Sequence, residues 1–220
     1  MIVRYIRHSI SETNEKGLAS GSLIDAPLSE RGRKIIEDYK AEGIYPKYPG
    51  FCYSSTLKRA IETLRIIYPD SHIIETHLLD ERSFGAMEYM DKEELKAYRS
   101  SEDFTNIWTD WDFKTGGDGE SVKSMMRRVK RDFNKLLDEW FEDEVELVTI
   151  GGHGAFLKTM TLAYDIDMPK PWESILGNGL GCVLDIRKED DGYKIEMIDV
   201  IGNGTIEEVF NVHTVKEEQK

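Results

Sequence analysis

The 220-residue sequence has little of what several protein classes require. Its only two cysteines, Cys52 and Cys182, form no CxxC pair, which argues against a disulfide framework. Six prolines and 18 glycines are too few for a collagen-like or low-complexity chain. No run approaches the roughly 18 apolar residues of a membrane span, and Arg4 and Arg7 interrupt the segment where a signal core would lie. We therefore predict a cytoplasmic protein with reduced thiols.

Basic residues are also scarce relative to acidic ones. The chain has 29 Lys and Arg against 42 Asp and Glu, which gives a formal charge of −13. Binding to a polyanion is driven by Lys and Arg that displace counterions, so we predict neither nucleic acid nor an anionic membrane as a partner. Salt screens distant surface charge over about 10 Å, so a local cluster of Arg and His can still bind a small anion.

The hydrophobic pattern predicts an α/β fold. Short β-rich runs fall at residues 2–7, 51–54, 72–76 and 146–150. Apolar spacing of three and four residues predicts helices at 57–67 and 122–141, and Ser29, Thr56 and Ser121 are candidate N-caps. Strands that alternate with helices indicate a mostly parallel sheet. The pair Asp191-Gly192, between runs at 182–187 and 193–200, predicts an antiparallel hairpin at its C-terminal edge.

The domain organisation is predicted from repeats, linkers and local composition. The chain has no internal repeat, linker or composition break, so we predict a single domain over residues 1–220, a three-layer α/β/α sandwich. Residues 82–118 combine aromatic and acidic side chains with weak helical periodicity, which is typical of an inserted helical cap over a site. A peripheral subdomain packed on its own aromatics is the alternative. The tail at 213–220 is predicted to be frayed.

Arginine and histidine residues follow three of the predicted strands. Arg7 and His8 lie where the first strand ends, Arg59 lies in the helix after the second, and His153 directly follows the strand at 146–150. In open α/β sheets, ligands bind outside the carboxyl ends of the strands. We therefore expect these four side chains to meet at one edge of the sheet.

This set of groups suits a phosphoryl group. Guanidinium forks match two phosphate oxygens, and a helix that begins at Gly154 offers backbone N–H groups to a third. A neutral imidazole can attack phosphorus and form a covalent phosphohistidine. The leaving alcohol then needs a proton, for which Asp80 and Glu81 are both candidates.

Six motifs in the same order belong to a known family. Arg-His-x-x-Ser/Thr-x-x-Asn falls at residues 7–14, Leu-Ser/Thr-x-x-Gly at 28–32, and Ser-Ser-x-Leu-x-Arg-Ala-x-x-Thr at 54–63. Leu-Asp-Glu with a later Gly follows at 79–85, Gly-Glu-Ser at 119–121 and His-Gly at 153–154. The chain therefore resembles the histidine phosphatase superfamily, the phosphoglycerate-mutase-like fold, over most of its length.

The resemblance implies roles for individual residues. They are His8 as nucleophile, Arg7, Arg59 and His153 as the phosphate clamp, Glu81 as proton donor, and Ser11 and Asn14 as pocket lining. It implies no metal, no cofactor, and a small phosphorylated metabolite as substrate. Two positions depart from the family pattern. Ser9 replaces the usual Gly and would tighten the turn after His8 if that position needs a positive φ. Glu62 replaces a frequent Gln and adds a carboxylate near the phosphate unless its side chain points away.

Other interpretations of these residues have less support. His72 and His77 are too far apart in angle, on a strand or on a helix, to form a metal pair. Ser54 and Ser55 with His153 lack the Gly-x-Ser-x-Gly elbow of a hydrolase triad. Glu120 and Ser121 are better explained as the start of the long helix than as catalytic groups.

The favoured function is hydrolysis of phosphomonoesters through a phosphohistidine on His8. Phosphoglycerate-mutase-type phosphoryl transfer is one alternative, and a non-enzymatic module that binds a phosphorylated ligand is another. Mutases of the family carry a long basic insertion after the acid. Here Glu120 lies only 39 positions after Glu81, and the stretch between them is acidic and aromatic, which favours the phosphatase.

Overall fold

In the computed structural model, the described residues are 1–167 and 176–211, without the side chains of residues 207 and 211. The strands of this part of the chain are β1 (Ile2–Arg7), β2 (Phe51–Ser54), β3 (Ile73–Glu75), β4 (Leu147–Gly152), β5 (Gly181–Glu189) and β6 (Gly192–Ile201). The four predicted core strands and both strands of the predicted hairpin are confirmed, with bounds that shift by one or two residues.

The strands form one mixed sheet in the order β3-β2-β4-β1-β5-β6. β3, β2, β4 and β1 run parallel, whereas β5 runs antiparallel to β1 and β6 antiparallel to β5. The predicted parallel sheet with an antiparallel C-terminal edge is thus confirmed. The tight turn between β5 and β6 lies at Asp190 and Asp191, one position before the predicted pair, because Gly192, with a φ of 147°, already belongs to β6.

The helices are α1 (Glu12–Glu15), α2 (Glu30–Ala41), α3 (Lys58–Ile67), α4 (Lys92–Arg99), α5 (Glu102–Thr109), α6 (Val122–Glu142), α7 (Gly154–Ala163) and α8 (Ile206–Asn211). Ser29 and Ser121 cap α2 and α6, as predicted. The prediction of Thr56 as an N-cap is wrong. α3 starts after Leu57 without a side-chain cap, and the Thr56 hydroxyl hydrogen-bonds Asp80 instead.

The helices pack on both faces of the sheet. Val3 and Tyr5 of β1 lie in a core cluster with Phe133 of α6 and Phe156 of α7. Ile6, which points to the opposite face, lies in a second cluster that includes side chains of α2 and α3. This alternation along one strand produces the predicted three-layer α/β/α sandwich, and the ends of the parallel strands are left free for a site.

The predicted cap, residues 82–118, contains α4, α5 and a 3₁₀ helix at Gly85–Tyr89. It has its own small core around Met87, Leu95 and Ile107, which is the feature expected of a self-packed subdomain. The buried Arg82 guanidinium ties this region together, since it donates to the carbonyls of Ile107 and Glu120. That the region covers a site remains a prediction.

Three further predictions concern the two cysteines, a membrane span and the C-terminal tail. Cys52 and Cys182 are both buried and unpaired with each other. Among the described residues, no helix is both long and apolar enough to cross a membrane. The predicted frayed tail at 213–220 lies outside the described residues.

Candidate active site

The ends of three neighbouring parallel strands meet at one edge, as the sequence predicts. Arg7, the last residue of β1, is paired with Gly152, and Ser54 of β2 is paired with Gly151. The His8 N–H donates to the Gly152 carbonyl at 2.9 Å. A side chain at Gly152 would collide with the Tyr5 hydroxyl, so this close approach requires glycine.

The two predicted imidazoles come together at this edge. The ring centroids of His8 and His153 are 5.2 Å apart, and both residues are buried. Burial, followed by the charges of Arg59 and Arg7, lowers the pKa of His8 well below its usual value. The pKa of His153 is lowered in the same way, with His8 as a further cause. Both rings are therefore neutral near pH 7.

The hydrogen bonds of His8 define which ring nitrogen is free. Nδ1 lies 2.6 Å from the Ser9 carbonyl oxygen. A carbonyl can only accept, so the proton of the neutral ring is on Nδ1 and the lone pair is on Nε2. His8 therefore presents an unprotonated nitrogen, which is the form a nucleophile needs.

His153 is the N-cap residue of α7 and is fixed from two sides. Its Nε2 lies 2.6 Å from the Ser55 hydroxyl, and its backbone N–H donates to the Tyr5 hydroxyl at 2.6 Å. Within the part of the chain that the structure describes, its buried Nδ1 has no hydrogen-bond partner. Ser55 thus orients His153, and one ring nitrogen remains for a ligand.

Two guanidinium groups, that of the buried Arg59 and that of the half-buried Arg7, complete the positive side of the cluster. Arg59 donates from Nη1 to the Ile24 carbonyl at 3.1 Å and from Nη2 to the Gly21 carbonyl at 2.8 Å. Arg7 donates to the Leu176 carbonyl at 2.5 Å. The Nε atoms of both arginines are buried without a hydrogen-bond partner among the described residues. The guanidinium donors most clearly available to an anion are therefore these Nε atoms.

The two neighbouring candidates for the proton donor, Asp80 and Glu81, have different surroundings in the structure. Asp80 accepts from the Thr56 N–H and hydroxyl, both at 2.9 Å, and lies 2.9 Å from His77 Nδ1, at the rim of the cluster. Glu81 is buried, and the charges of Arg59 and Arg7 act on it. Glu81, the residue that the family motif selects, is the one inside the cluster.

Burial raises the pKa of Glu81, while backbone hydrogen bonds and the two arginines oppose the rise. The cause in this structure is removal from water. A buried carboxyl of this kind is more readily protonated than an exposed one, as a proton donor must be.

Glu81 also occupies much of the helix end that was predicted to bind an anion. Its carboxylate accepts from the N–H groups of Ala155 at 3.1 Å and Phe156 at 2.8 Å, in the first turn of α7. This leaves the Gly154 N–H without an acceptor among the described residues. The helix terminus therefore offers one N–H group rather than several, because the proposed acid is already hydrogen-bonded to it.

The predicted lining residues Ser11 and Asn14 form the capping box of α1. The Asn14 N–H donates to the Ser11 hydroxyl and the Ser11 N–H to Asn14 Oδ1, both at 3.2 Å. These contacts fix the turn directly after His8. Whether either side chain also contacts a ligand remains a prediction.

Neither departure from the family pattern disturbs the cluster. Ser9 is absent from the described residues with positive φ, and its hydroxyl donates to the Gly32 carbonyl at 2.8 Å. Glu62 accepts from the Leu28 N–H at 2.8 Å and from Arg33 at 2.7 Å, so its carboxylate faces α2. The serine causes no backbone strain, and the extra carboxylate is neutralised away from the histidines.

Sequence reasoning missed Arg128, which holds the segment that carries Glu81. Its guanidinium forms two hydrogen bonds with the carboxylate of Glu120, at 2.7 and 2.9 Å, and donates to the carbonyls of Asp80 and Glu81 at 3.1 Å. Glu120 in turn accepts from the Ser83 N–H. The only signal in the sequence is an arginine beside the apolar stripe of α6. Ser121 is confirmed as the N-cap of that helix, whereas the Glu120 carboxylate binds Arg128 and the Ser83 N–H.

Glu88 was also missed, and it organises the loop that Arg59 contacts. Its buried carboxylate accepts from the N–H groups of Gly21, Leu23 and Ile24 at 3.0 to 3.2 Å, and from the Phe84 N–H at 2.8 Å. The carbonyls of Gly21 and Ile24 are the acceptors of Arg59. Glu88 therefore connects the predicted cap to Arg59 through one short loop.

The described residues contain no group of three or more His, Cys, Asp or Glu side chains that could bind a metal ion. His77, a member of the rejected metal pair, lies near Asp80 and Thr56 instead.

This geometry agrees with comparisons to known proteins. Residues 4–199 match the model of the Histidine phosphatase superfamily (branch 1), and the chain belongs to this family. A 2,3-bisphosphoglycerate-dependent phosphoglycerate mutase of Parvibaculum lavamentivorans is 32% identical over 171 residues, which are 73% of this chain and 78% of that protein. The corresponding mutase of Treponema denticola is 38% identical over 112 residues, 47% of this chain and only 43% of that protein.

Solved structures with the same fold carry phosphatase names. A mycobacterial glucosyl-3-phosphoglycerate phosphatase superposes with a TM-score of 0.73 at 20% identity, over 93% of this chain and 99% of that one. A phosphoserine phosphatase of Entamoeba histolytica, in complex with 3-phosphoglyceric acid, gives 0.69 at 23% identity, over 91% and 96%. At these identities the likeness establishes the fold.

The Glu88 network gives a first testable prediction. Glu88→Ala removes the acceptor of four backbone N–H groups and should lower the free energy of unfolding by about 2–4 kcal/mol. Because the same loop holds Arg59, binding of inorganic phosphate should weaken roughly tenfold. Urea denaturation and titration calorimetry measure the two effects.

Glu88→Gln, which keeps one acceptor oxygen, should fall between the wild type and Glu88→Ala. Glu93→Ala, an exposed position on α4, should change neither quantity. Unaltered phosphate affinity in a destabilised Glu88→Ala protein would mean that the loop does not position Arg59.

Proposed function

We propose that this protein hydrolyses phosphomonoesters of small metabolites through a covalent phosphohistidine on His8. One observation carries the proposal: a buried, neutral His8 with a free Nε2 lies in a cluster whose buried Arg7 Nε, Arg59 Nε and His153 Nδ1 lack partners among the described residues. Buried donors without partners are rare in proteins. A bound phosphoryl group supplies the acceptors that these atoms need.

In the first step, the Nε2 lone pair of His8 attacks phosphorus, and the ester P–O bond breaks on the opposite side. Arg7, Arg59, His153 and the Gly154 N–H stabilise the negative charge of the phosphoryl oxygens. Glu81, whose pKa is raised by burial, transfers its proton to the leaving alcohol oxygen. The products are a neutral alcohol, a phosphohistidine and a Glu81 carboxylate.

In the second step, a water molecule attacks the phosphohistidine. The Glu81 carboxylate takes a proton from this water, the P–N bond breaks, and His8 regains its lone pair as inorganic phosphate forms. Every proton is returned by the end of the cycle. The chemistry uses only groups of the protein and water. We propose that it proceeds without a metal ion or cofactor, and that the protein is cytoplasmic.

Mutase-type transfer is the second candidate function, since the curated relatives are phosphoglycerate mutases. A mutase must bind a carboxylate and a second phosphate beside the reacting one. The predicted cap, residues 82–118, has nine acidic and five basic residues and is a poor environment for such a polyanion. This charge balance favours the phosphatase.

The nucleophile can be tested with a generic ester. The wild-type protein should hydrolyse p-nitrophenyl phosphate in the presence of EDTA, and His8→Ala should lower the rate by at least about 10³-fold because the attacking nitrogen is gone. His72→Ala, at an exposed histidine outside the cluster, serves as the matched control and should keep full activity. Activity that requires added metal, or that survives in His8→Ala, would contradict the mechanism.

The role of Glu81 can be tested by varying the leaving group. Single-turnover phosphorylation by an alkyl phosphate should slow by about 10²–10⁴-fold in Glu81→Gln, because an alkoxide cannot leave without a proton. The reaction with p-nitrophenyl phosphate should slow much less, since nitrophenolate leaves unaided.

Asp80→Asn is the neighbouring control for this experiment, because Asp80 hydrogen-bonds Thr56 at the rim of the cluster. It should leave the ratio of alkyl to nitrophenyl rates unchanged. An equal loss on both substrates in Glu81→Gln, or a leaving-group effect in Asp80→Asn, would assign the acid elsewhere.

A further inference from the structure

A small apolar cavity of about 180 Å³ lies between the predicted cap and the loop that Arg59 contacts. We call it the cap pocket. Its lining includes Leu95, Phe104, Ile107 and Trp108 from the cap, and Ala19 and Ser20 from the loop. A concave apolar cavity with a few polar groups at its edge is the usual form of a small-molecule site.

The cap pocket is connected to the phosphate cluster through the loop that contains Ser20 and Gly21. Ser20 accepts from the Thr13 hydroxyl at 2.9 Å, and Thr13 lies 2.8 Å from the Ser11 hydroxyl in the turn after His8. The next residue, Gly21, provides the carbonyl that Arg59 contacts at 2.8 Å. Hydrogen bonds thus link the residues on this side of the pocket to the turn after His8 and to Arg59.

The other side of the pocket leads to the proposed acid. Phe84 lines the cavity and lies three residues after Glu81 in the chain. The Phe84 N–H donates to the same Glu88 carboxylate that accepts from the loop. The cap pocket is therefore lined by residues of the loop whose carbonyls Arg59 contacts and by a residue of the segment that follows Glu81.

The chemistry of the pocket limits the alcohol that it can bind. Its lining is mainly aliphatic and aromatic, and its volume suits one ring or a short branched chain. Arg99 is the one charged side chain among the described lining residues, and its guanidinium donates to the Gly17 carbonyl. The rest of the described lining is uncharged, so a charged group on the alcohol would lose its hydration in the pocket with few polar partners.

From these observations we infer that the substrate is a phosphomonoester of an uncharged, apolar alcohol about the size of a single ring, and that the cap pocket binds this group. The inference rests on the proposed phosphatase function and narrows it. The phosphate remains at His8, and the apolar group determines selectivity through the area that it buries in the pocket.

The experiment compares three alkyl esters, so that the leaving alcohols are all weakly acidic. Benzyl phosphate carries a ring, ethyl phosphate is too small to fill the pocket, and 3-phosphoglycerate carries a carboxylate. The wild-type kcat/KM should be at least about tenfold higher for benzyl phosphate than for either of the others.

Ala19→Phe, which fills the pocket with a ring of its own, should reduce the benzyl-to-ethyl ratio of kcat/KM to near one. Ala97→Phe, at an exposed position of α4 outside the pocket, is the matched control and should leave that ratio unchanged. Ala19→Leu should give an intermediate ratio. Thermal melting curves establish that each variant is folded, and the leucine variant gives the answer if the phenylalanine variant does not fold.

Three results would overturn the inference. They are an equal kcat/KM for benzyl and ethyl phosphate, a preference for 3-phosphoglycerate, and a benzyl preference that persists in both Ala19 variants. Each of these leaves the phosphatase function intact, since the esters are still hydrolysed. Failure to hydrolyse any of the three esters would instead refute the proposed function, and this inference with it.

Discussion

The placement of two guanidinium groups, one buried and one half-buried, beside a neutral imidazole is the constraint on which the rest of the site depends. An ionised group in an apolar interior is costly unless it is hydrogen-bonded or paired. Arg59 is paired with the carbonyls of Gly21 and Ile24, and Arg7 with that of Leu176, while burial still lowers the pKa of Arg7 to about 10. Burial lowers the pKa of His8, and the same two charges lower it further. In the proposed mechanism, the positive charge that binds the phosphate thus also helps to keep the nucleophile unprotonated.

Glu81 connects this cluster to the fold in a different way. It balances part of the positive charge and accepts two of the free N–H groups in the first turn of α7, so one carboxylate serves both the site and the end of a helix. Arg128 fixes the backbone on which it lies. Moving Glu81 would therefore cost hydrogen bonds at the helix as well as charge balance at the histidines. This explains why the acid is the residue facing inward and Asp80 the one at the rim.

Local sequence patterns were sufficient to predict the parallel core strands, the C-terminal hairpin and the meeting of Arg7, His8, Arg59 and His153. These features follow from alternating apolar residues and from the rule that parallel strands end at one edge. The roles of Arg128 and Glu88 could not be predicted, because each contacts backbone groups that are distant in sequence and leave no motif. The prediction of Thr56 as the N-cap of α3 failed for the same reason, since Asp80 competes for the threonine hydroxyl and the helix starts after Leu57 instead.

The central claim is that His8 forms the covalent bond through Nε2, since Nδ1 is held by the Ser9 carbonyl. The most direct test is to quench the wild-type protein in alkali during turnover, locate the phosphoryl group by mass spectrometry of peptides, and identify the linked nitrogen by ³¹P NMR. We expect phosphate on His8, bonded to Nε2. Phosphate on Nδ1, on Ser54 or Ser55, or on no residue at all under conditions of rapid turnover would contradict it.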